Sequence, residues 1–425
     1  MATQIAEERD YFTDRSVLLD PYEWFENMRA NGPVHKLPGR DIVIVTGFQE
    51  AVEVLLNAED FSSVITAEGP VNDLPFPLDG GDITRQIEEF RLQMSPTDLV
   101  VTYDGPRHSA TRALLMGLFT PSRLKANGVF MAALADEMIS KVVAKGECEI
   151  IKEIAAPYVT LVIADLLGVP EEDRDKFREV IDAGPPAGNI DPDDPRPNSS
   201  TLDYLAIFFA EYVADRRANP QPDVLTELAT ATLPNGVRPE AEEIVKLAMF
   251  LFAAGQDTSA KLLGNSIRRL AENPAMQNQL REDRSLVAPF VEEVLRMEGS
   301  TKCTFRLAKR KTHIGDSEIV AGTRILISFA AANRDPRRWE NPEEFRIGRP
   351  KIKEHVAFGR GAHVCAGAPL ARVEVIALLN CLFDKTSEIT LSEEHHGPVG
   401  QRRLSYEPSF IIRGLERLHV KLKAA

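Results

Sequence analysis

The feature that most limits how this chain can fold is a helical run at residues 239–270 whose middle is apolar on every side. A helix at a protein surface carries one apolar stripe; a helix that is hydrophobic all round lies buried in the centre. The rest of the chain must therefore be arranged around this rod. The same run contains Ala254-Gly255-Gln256-Asp257-Thr258. Glycine weakens a helix, and a carboxylate and a hydroxyl in apolar surroundings need partners. Asp257 and Thr258 can find them within the helix, at solvent, or in a ligand beside the helix.

The remaining pattern is mainly helical with short strands. Residues 121–145 are periodic, open on Pro-Ser and stop at Gly146, as helix start and stop signals require. Residues 157–167 continue the pattern until Gly168-Val169-Pro170. Residues 41–47 read as a strand ending in a turn, and residues 312–326 as strands around Gly315 and Gly322. Residues 184–198 hold five prolines, two glycines and three aspartates, which forbids regular structure. Helical sequence resumes at 202–213, so this stretch reads as a surface lid between two helices. Residues 69–82 and 302–306 read as open loops near a cavity. There is no low-complexity linker and no repeat at solenoid periods, which favours a single domain over residues 1–425.

Acidic residues outnumber basic ones 64 to 50, giving a net charge of −14. That excludes non-specific nucleic-acid binding, which needs a basic face. The longest apolar run, residues 247–255, is too short for a bilayer core of about 30 Å, and residues 1–20 carry no secretion signal. The expectation is a cytoplasmic protein with no membrane partner. The four cysteines, Cys148, Cys303, Cys365 and Cys381, include no CxxC pair, so each begins as a small buried hydrophobe.

Cys365 departs from that reading. It sits in Phe358-Gly359-Arg360-Gly361-Ala362-His363-Val364-Cys365-Ala366-Gly367, just before the helical pattern of residues 369–383. Three glycines allow tight turns and close approach to a flat ligand. A sulfur at a helix amino terminus accepts backbone N–H bonds, which favour thiolate over thiol. Without companion cysteines there is no zinc or iron–sulfur cage, and His363 with Cys365 makes only two possible ligands.

On this stretch the chain resembles the cytochrome P-450 family, in particular its soluble bacterial members. The family signature is matched at Phe358, Gly361, Cys365 and Gly367. The resemblance implies a mainly α fold with a small β region, holding haem b between the long central helix and the helix after Cys365. Cys365 would be the axial ligand of the iron. His108, Arg112, Arg306 and His363 match contacts to the haem propionates. Asp257 and Thr258 match an acid–alcohol pair that organises proton delivery, next to a local helix distortion at Gly255. Glu293 and Arg296, three apart on one helix face, would on any helix be a surface pair contributing about 0.3 kcal/mol. In the family they are buried and joined by a third residue, matched here by Arg349, which holds the cysteine loop in place.

The implied reaction is insertion of one atom of O2 into a hydrophobic small organic substrate by a monomer that takes electrons from a separate ferredoxin. Phe250, Ala253, Ala254, Ile411 and Ile412 would line the substrate side. Ser300 stands where the family usually has proline, and Thr301 to Thr304 are unusually polar, with Lys302 at an ordinarily apolar position. A haem-thiolate peroxygenase would not need the acid–alcohol pair. A haem-thiolate isomerase or reductase, or a haem sensor, would share Cys365 and differ in turnover.

Overall fold

The computed structural model describes residues 9–183 and 200–425, apart from positions 38, 79 and 97. The proline-rich segment at 184–198 lies outside the described residues. Six helices build the central region: α1 (Gly105–Met116), α2 (Pro121–Lys145), α3 (Ala156–Leu167), α4 (Ala241–Ala271), α5 (Val287–Glu298) and α6 (Ala368–Lys385). With 31 residues, α4 is roughly 46 Å long at 1.5 Å per residue. It packs against α3, α5 and α6, while α6 also lies along α2. Its apolar circumference is thereby covered by other helices, and one large cluster of buried side chains runs through all of them. Glycine ends two of these helices. Gly146 and Gly168 adopt φ of 78° and 88° and cap the preceding carbonyls, a left-handed turn that costs other residues more.

The β region is a five-stranded sheet made of β1 (Val34–Lys36), β2 (Ile42–Val45), β3 (Phe61–Ser62), β4 (Cys303–Ala308) and β5 (Arg324–Ser328). Its order is β1-β2-β5-β4-β3, with β2 and β5 parallel and the other pairs antiparallel. Thr312–Ile314 and Ser317–Ile319 form a hairpin around Gly315, whose φ is 52°.

The sequence placed an open loop at residues 302–306, and there the structure differs. Residues 303–308 are an interior strand with Thr304 opposite Ile327 and Arg306 opposite Ile325. The polar lettering hid it because Lys302 is satisfied without any carboxylate. Its ammonium donates to the backbone carbonyls of Leu18, at 3.0 Å, and Ser409. The side chain is only 1% exposed. Burial, followed by the nearby charge of Arg413, brings its pKa down to about 7. The main chain is equally engaged: Lys302 N–H donates to Ile411 O, and its carbonyl accepts from Ala330. One buried lysine thus joins the amino-terminal segment, the start of β4 and the loop around Ser409.

Candidate active site

A cavity of about 350 Å³ opens beside the middle of α4 and reaches the cysteine loop. Phe250, Ala254 and Thr258 line it at intervals of four, the spacing that stacks side chains on one helix face. Ala253 is not part of the lining: the exposed face widens on the side of Leu251, Gly255 and Ser259, and Ala253 is turned about 100° the other way. Ile411 lines the cavity, whereas Ile412 does not. Ile412 pairs instead with Thr301 in an antiparallel bridge, on the alternate side of the backbone. Of the five residues expected on the substrate side, Ala253 and Ile412 therefore stand behind the wall.

The cysteine loop owes its shape to two of its three glycines. Gly359 and Gly361 have φ of 68° and 72°, and a Cβ on Gly361 would lie 2.4 Å from the carbonyl oxygen of Leu55. Gly367 has an ordinary φ of −79°, so it is not a turn residue; a Cβ there would meet the Cys365 sulfur at 4.0 Å. The loop is pinned by Cys365 N–H on Phe358 O at 2.9 Å and by Arg112 on the carbonyl of Val364.

Cys365 faces the cavity rather than bulk water. Burial raises its thiol pKa, and this outweighs the N–H bonds from Gly367 and Ala368 and the charges of Arg112 and Arg372, all of which lower it. The N–H bonds expected at the helix start are present, and they act against the desolvation of the sulfur. Among the described residues no cluster of three or more His, Cys, Asp or Glu could hold a metal ion. An iron bound by Cys365 would have to bring its other ligands with it.

His108, Arg112, Arg306 and His363 converge on this cavity from α1, β4 and the cysteine loop. The rings of His108 and His363 lie 3.9 Å apart. Burial, with the neighbouring cations behind it, holds His363 down to about 2 and lowers His108. Burial also brings Arg306 to about 10. Its guanidinium donates to Phe305 O at 2.7 Å and Thr66 Oγ1 at 3.2 Å, and that of Arg112 to Val364 O. Their donors go to neutral oxygens rather than carboxylates. Two guanidiniums, with two imidazoles held neutral beside them, leave a positive site suited to an anion.

On α4, the Thr258 hydroxyl donates to Ala254 O at 2.9 Å, a bond within the helix ladder. The helix runs on through Gly255, and the bond from the Thr258 hydroxyl to the carbonyl one turn back is of the kind that often bends a helix. Asp257 does not line the cavity. Its Oδ1 pairs with Lys261 one turn on, which also contacts Glu407 at 2.8 Å. Glu293 forms a two-pronged pair with Arg296 at 2.8 and 2.9 Å, and Arg349 joins it at 3.0 Å. Arg296 also donates to the carbonyls of Asn333 and Pro342, which precede the cysteine loop.

Sequence reasoning passed over Glu374. It lines the cavity from α6, is fully buried, and is pushed up to about 8 by burial, against a hydrogen bond with Ser259. Its other carboxyl oxygen has no partner. A lone Glu in a helical pattern reads as a surface charge, and only its position nine residues after Cys365 set it apart.

A family model described as Cytochrome P450 matches residues 200–387. Cytochrome P450 144 of Mycobacterium tuberculosis (strain ATCC 25618 / H37Rv) is 31% identical, across 99% of this chain and 93% of its own length. The chain belongs to the cytochrome P450 family. The substrate-free structure of Mycobacterium marinum cytochrome P450 CYP150A6 is 45% identical, covers 99% of this chain and 100% of its own, and superposes with a TM-score of 0.92. The cytochrome P450 monooxygenase PikC of Streptomyces venezuelae is 29% identical over 95% of this chain and 91% of its own. The protein is accordingly a P450 monooxygenase, an oxidoreductase whose family uses haem, O2 and a redox partner on small substrates. The residues present fit haem: a cavity-facing thiol on one side, and a group of bases without carboxylate partners, suited to its two propionates. No helix among the described residues is long and apolar enough to cross a membrane.

Proposed function

We propose that this P450 is a single-domain, cytoplasmic, monomeric enzyme that uses haem b and ferredoxin-delivered electrons to insert one atom of O2 into a hydrophobic small molecule. The observation that carries the reading is the cavity itself. It has Cys365 in its wall, apolar side chains and Thr258 from α4, and two arginines that donate to neutral oxygens beside two histidines.

Cys365 would ligate the iron; Arg112, Arg306, His108 and His363 would hold the propionates. Haem, when bound, supplies the redox-active iron that activates dioxygen. The chain's own part is placement and proton control. Phe250, Ala254 and Ile411 exclude water and offer an apolar surface to the substrate. The Thr258 hydroxyl, with Ser259 beside it, faces the same space from α4 and holds a proton there, with Asp257 as the adjacent carboxylate that exchanges it. The buried Glu293–Arg296–Arg349 group fixes the loop that presents Cys365.

The test is a panel of terpenoids, aromatics, fatty acids and steroids, scored by haem spin-state shift and then by product formation with a ferredoxin and its reductase. Binding with donor-dependent hydroxylated product supports the reading. Product that forms equally well without O2 refutes it.

A further inference from the structure

Lys261 is a charged residue on the long central helix α4, and it is 5% exposed. Its ammonium lies between two carboxylates, Asp257 on its own helix and Glu407 on the loop near the carboxyl terminus. Burial lowers its pKa, but Asp257 and Glu407 together more than reverse this, and the net direction is upward. The lysine stays charged. Its stem passes over Gly414, where a Cβ would lie 2.3–2.5 Å from Cγ, Cδ and Cε. No residue with a side chain could occupy position 414 while Lys261 keeps this path.

Glu407 and Gly414 close the base of one loop: Glu407 N–H donates to Gly414 O at 3.0 Å, and Tyr406 bridges Leu415. The tip of that loop carries Ile411 into the cavity. The other oxygen of Asp257, Oδ2, is buried and has no partner. The carboxylate is thus held by one oxygen through Lys261, one residue before the hydroxyl that lines the cavity.

We propose that Lys261 is a positioning residue: it sets the orientation of Asp257 and ties it to Glu407, so that the substrate-lining loop and the proton-handling turn of α4 are mechanically joined. The inference rests on the reading of Asp257 as the carboxylate that serves Thr258. A lysine serving only to anchor the loop would affect stability alone. A positioning lysine acts through Asp257, and its effect disappears when that carboxylate is removed.

The experiment uses the haem-loaded enzyme reduced by a ferredoxin and its reductase, with no organic substrate added. Oxygen uptake and peroxide release are measured for the parent, D257N, K261Q and D257N/K261Q. Hydrogen exchange is followed over residues 406–415. D257N should slow oxygen uptake. K261Q should slow it by up to about 10²-fold, the cost of misplacing a reacting group by an ångström, and K261R should recover most of the loss. The double variant should be no slower than D257N, and exchange in 406–415 should accelerate in K261Q. If K261Q does not fold, E407Q takes its place: the Glu407 side chain is 20% exposed, and its loss should loosen the loop and slow uptake only while Asp257 is present. A K261Q or E407Q defect that adds in full to that of D257N overturns the proposal, as does a parent-like rate where D257N is slow. A silent D257N instead overturns the reading of Asp257, and this inference with it.

Discussion

Replacing Lys302 by methionine should remove a pH dependence of stability that one buried amine sets. In the folded protein the pKa of Lys302 is about 7, against an ordinary 10.5. Between those values the unfolded chain holds a proton that the folded chain has released, so this residue makes folding more favourable as pH rises through the window. Each unit corresponds to about 1.4 kcal/mol, and the full span to roughly 5 kcal/mol. In K302M that slope vanishes, and the carbonyls of Leu18 and Ser409 lose a donor, at roughly 1–3 kcal/mol each. Below pH 7 the loss of these bonds is offset by relief of a buried charge. Above pH 7 the parent should pull away from the variant. Denaturant unfolding of both haem-loaded proteins at pH 6, 7, 8 and 9 gives the difference directly, since other titrating groups cancel. The gap should widen by roughly 2–3 kcal/mol between pH 7 and 9. A gap that stays constant over this range would refute the argument, because it would mean that the amine keeps its proton inside the fold.

The reduced carbon monoxide complex should show the red-shifted Soret band of thiolate-bound haem, and C365H should lose it; retention in C365H would move the ligand elsewhere. T258A should still bind haem and substrate but divert electrons to peroxide, measured as peroxide formed per donor oxidised. E293Q leaves Arg296 and Arg349 without their buried carboxylate and should destabilise by roughly 3–5 kcal/mol in denaturant unfolding, with haem lost early. The Glu374 carboxyl has a pKa of about 8 in the fold against 4.5 ordinarily. Its contribution to stability therefore falls as pH rises between those values, and E374Q should gain on the parent over that range in the same assay.

The long helix, the glycine stops at 146 and 168 and the cysteine loop were legible because each rests on local rules: an apolar circumference, a left-handed φ, a run of motif residues. What the sequence hid depends on partners distant in the chain. β4 was concealed because Lys302 finds its acceptors at Leu18 and Ser409, about 280 and 110 residues away. The orientation of Asp257 was concealed for the same reason, since Lys261 and Glu407 meet only in three dimensions. The thiol of Cys365 shows a different limit. Its N–H donors follow from a helix start, but the cavity that it faces exists only once distant elements are assembled around it.

The strand β4 has a consequence for how this enzyme can change. Thr304 and Arg306 lie two residues apart on it, one opposite Ile327 and the other opposite Ile325, so a cavity-lining hydroxyl and the cation proposed to meet the propionates share one pleat. Inserting or deleting a single residue between Thr301 and Arg306 would turn Arg306 to the opposite side of the sheet. New substrate preferences in this segment are therefore reachable by point replacement at fixed length. Changes in length should be tolerated instead at connections that carry no cofactor contact, such as the turn at Gly315.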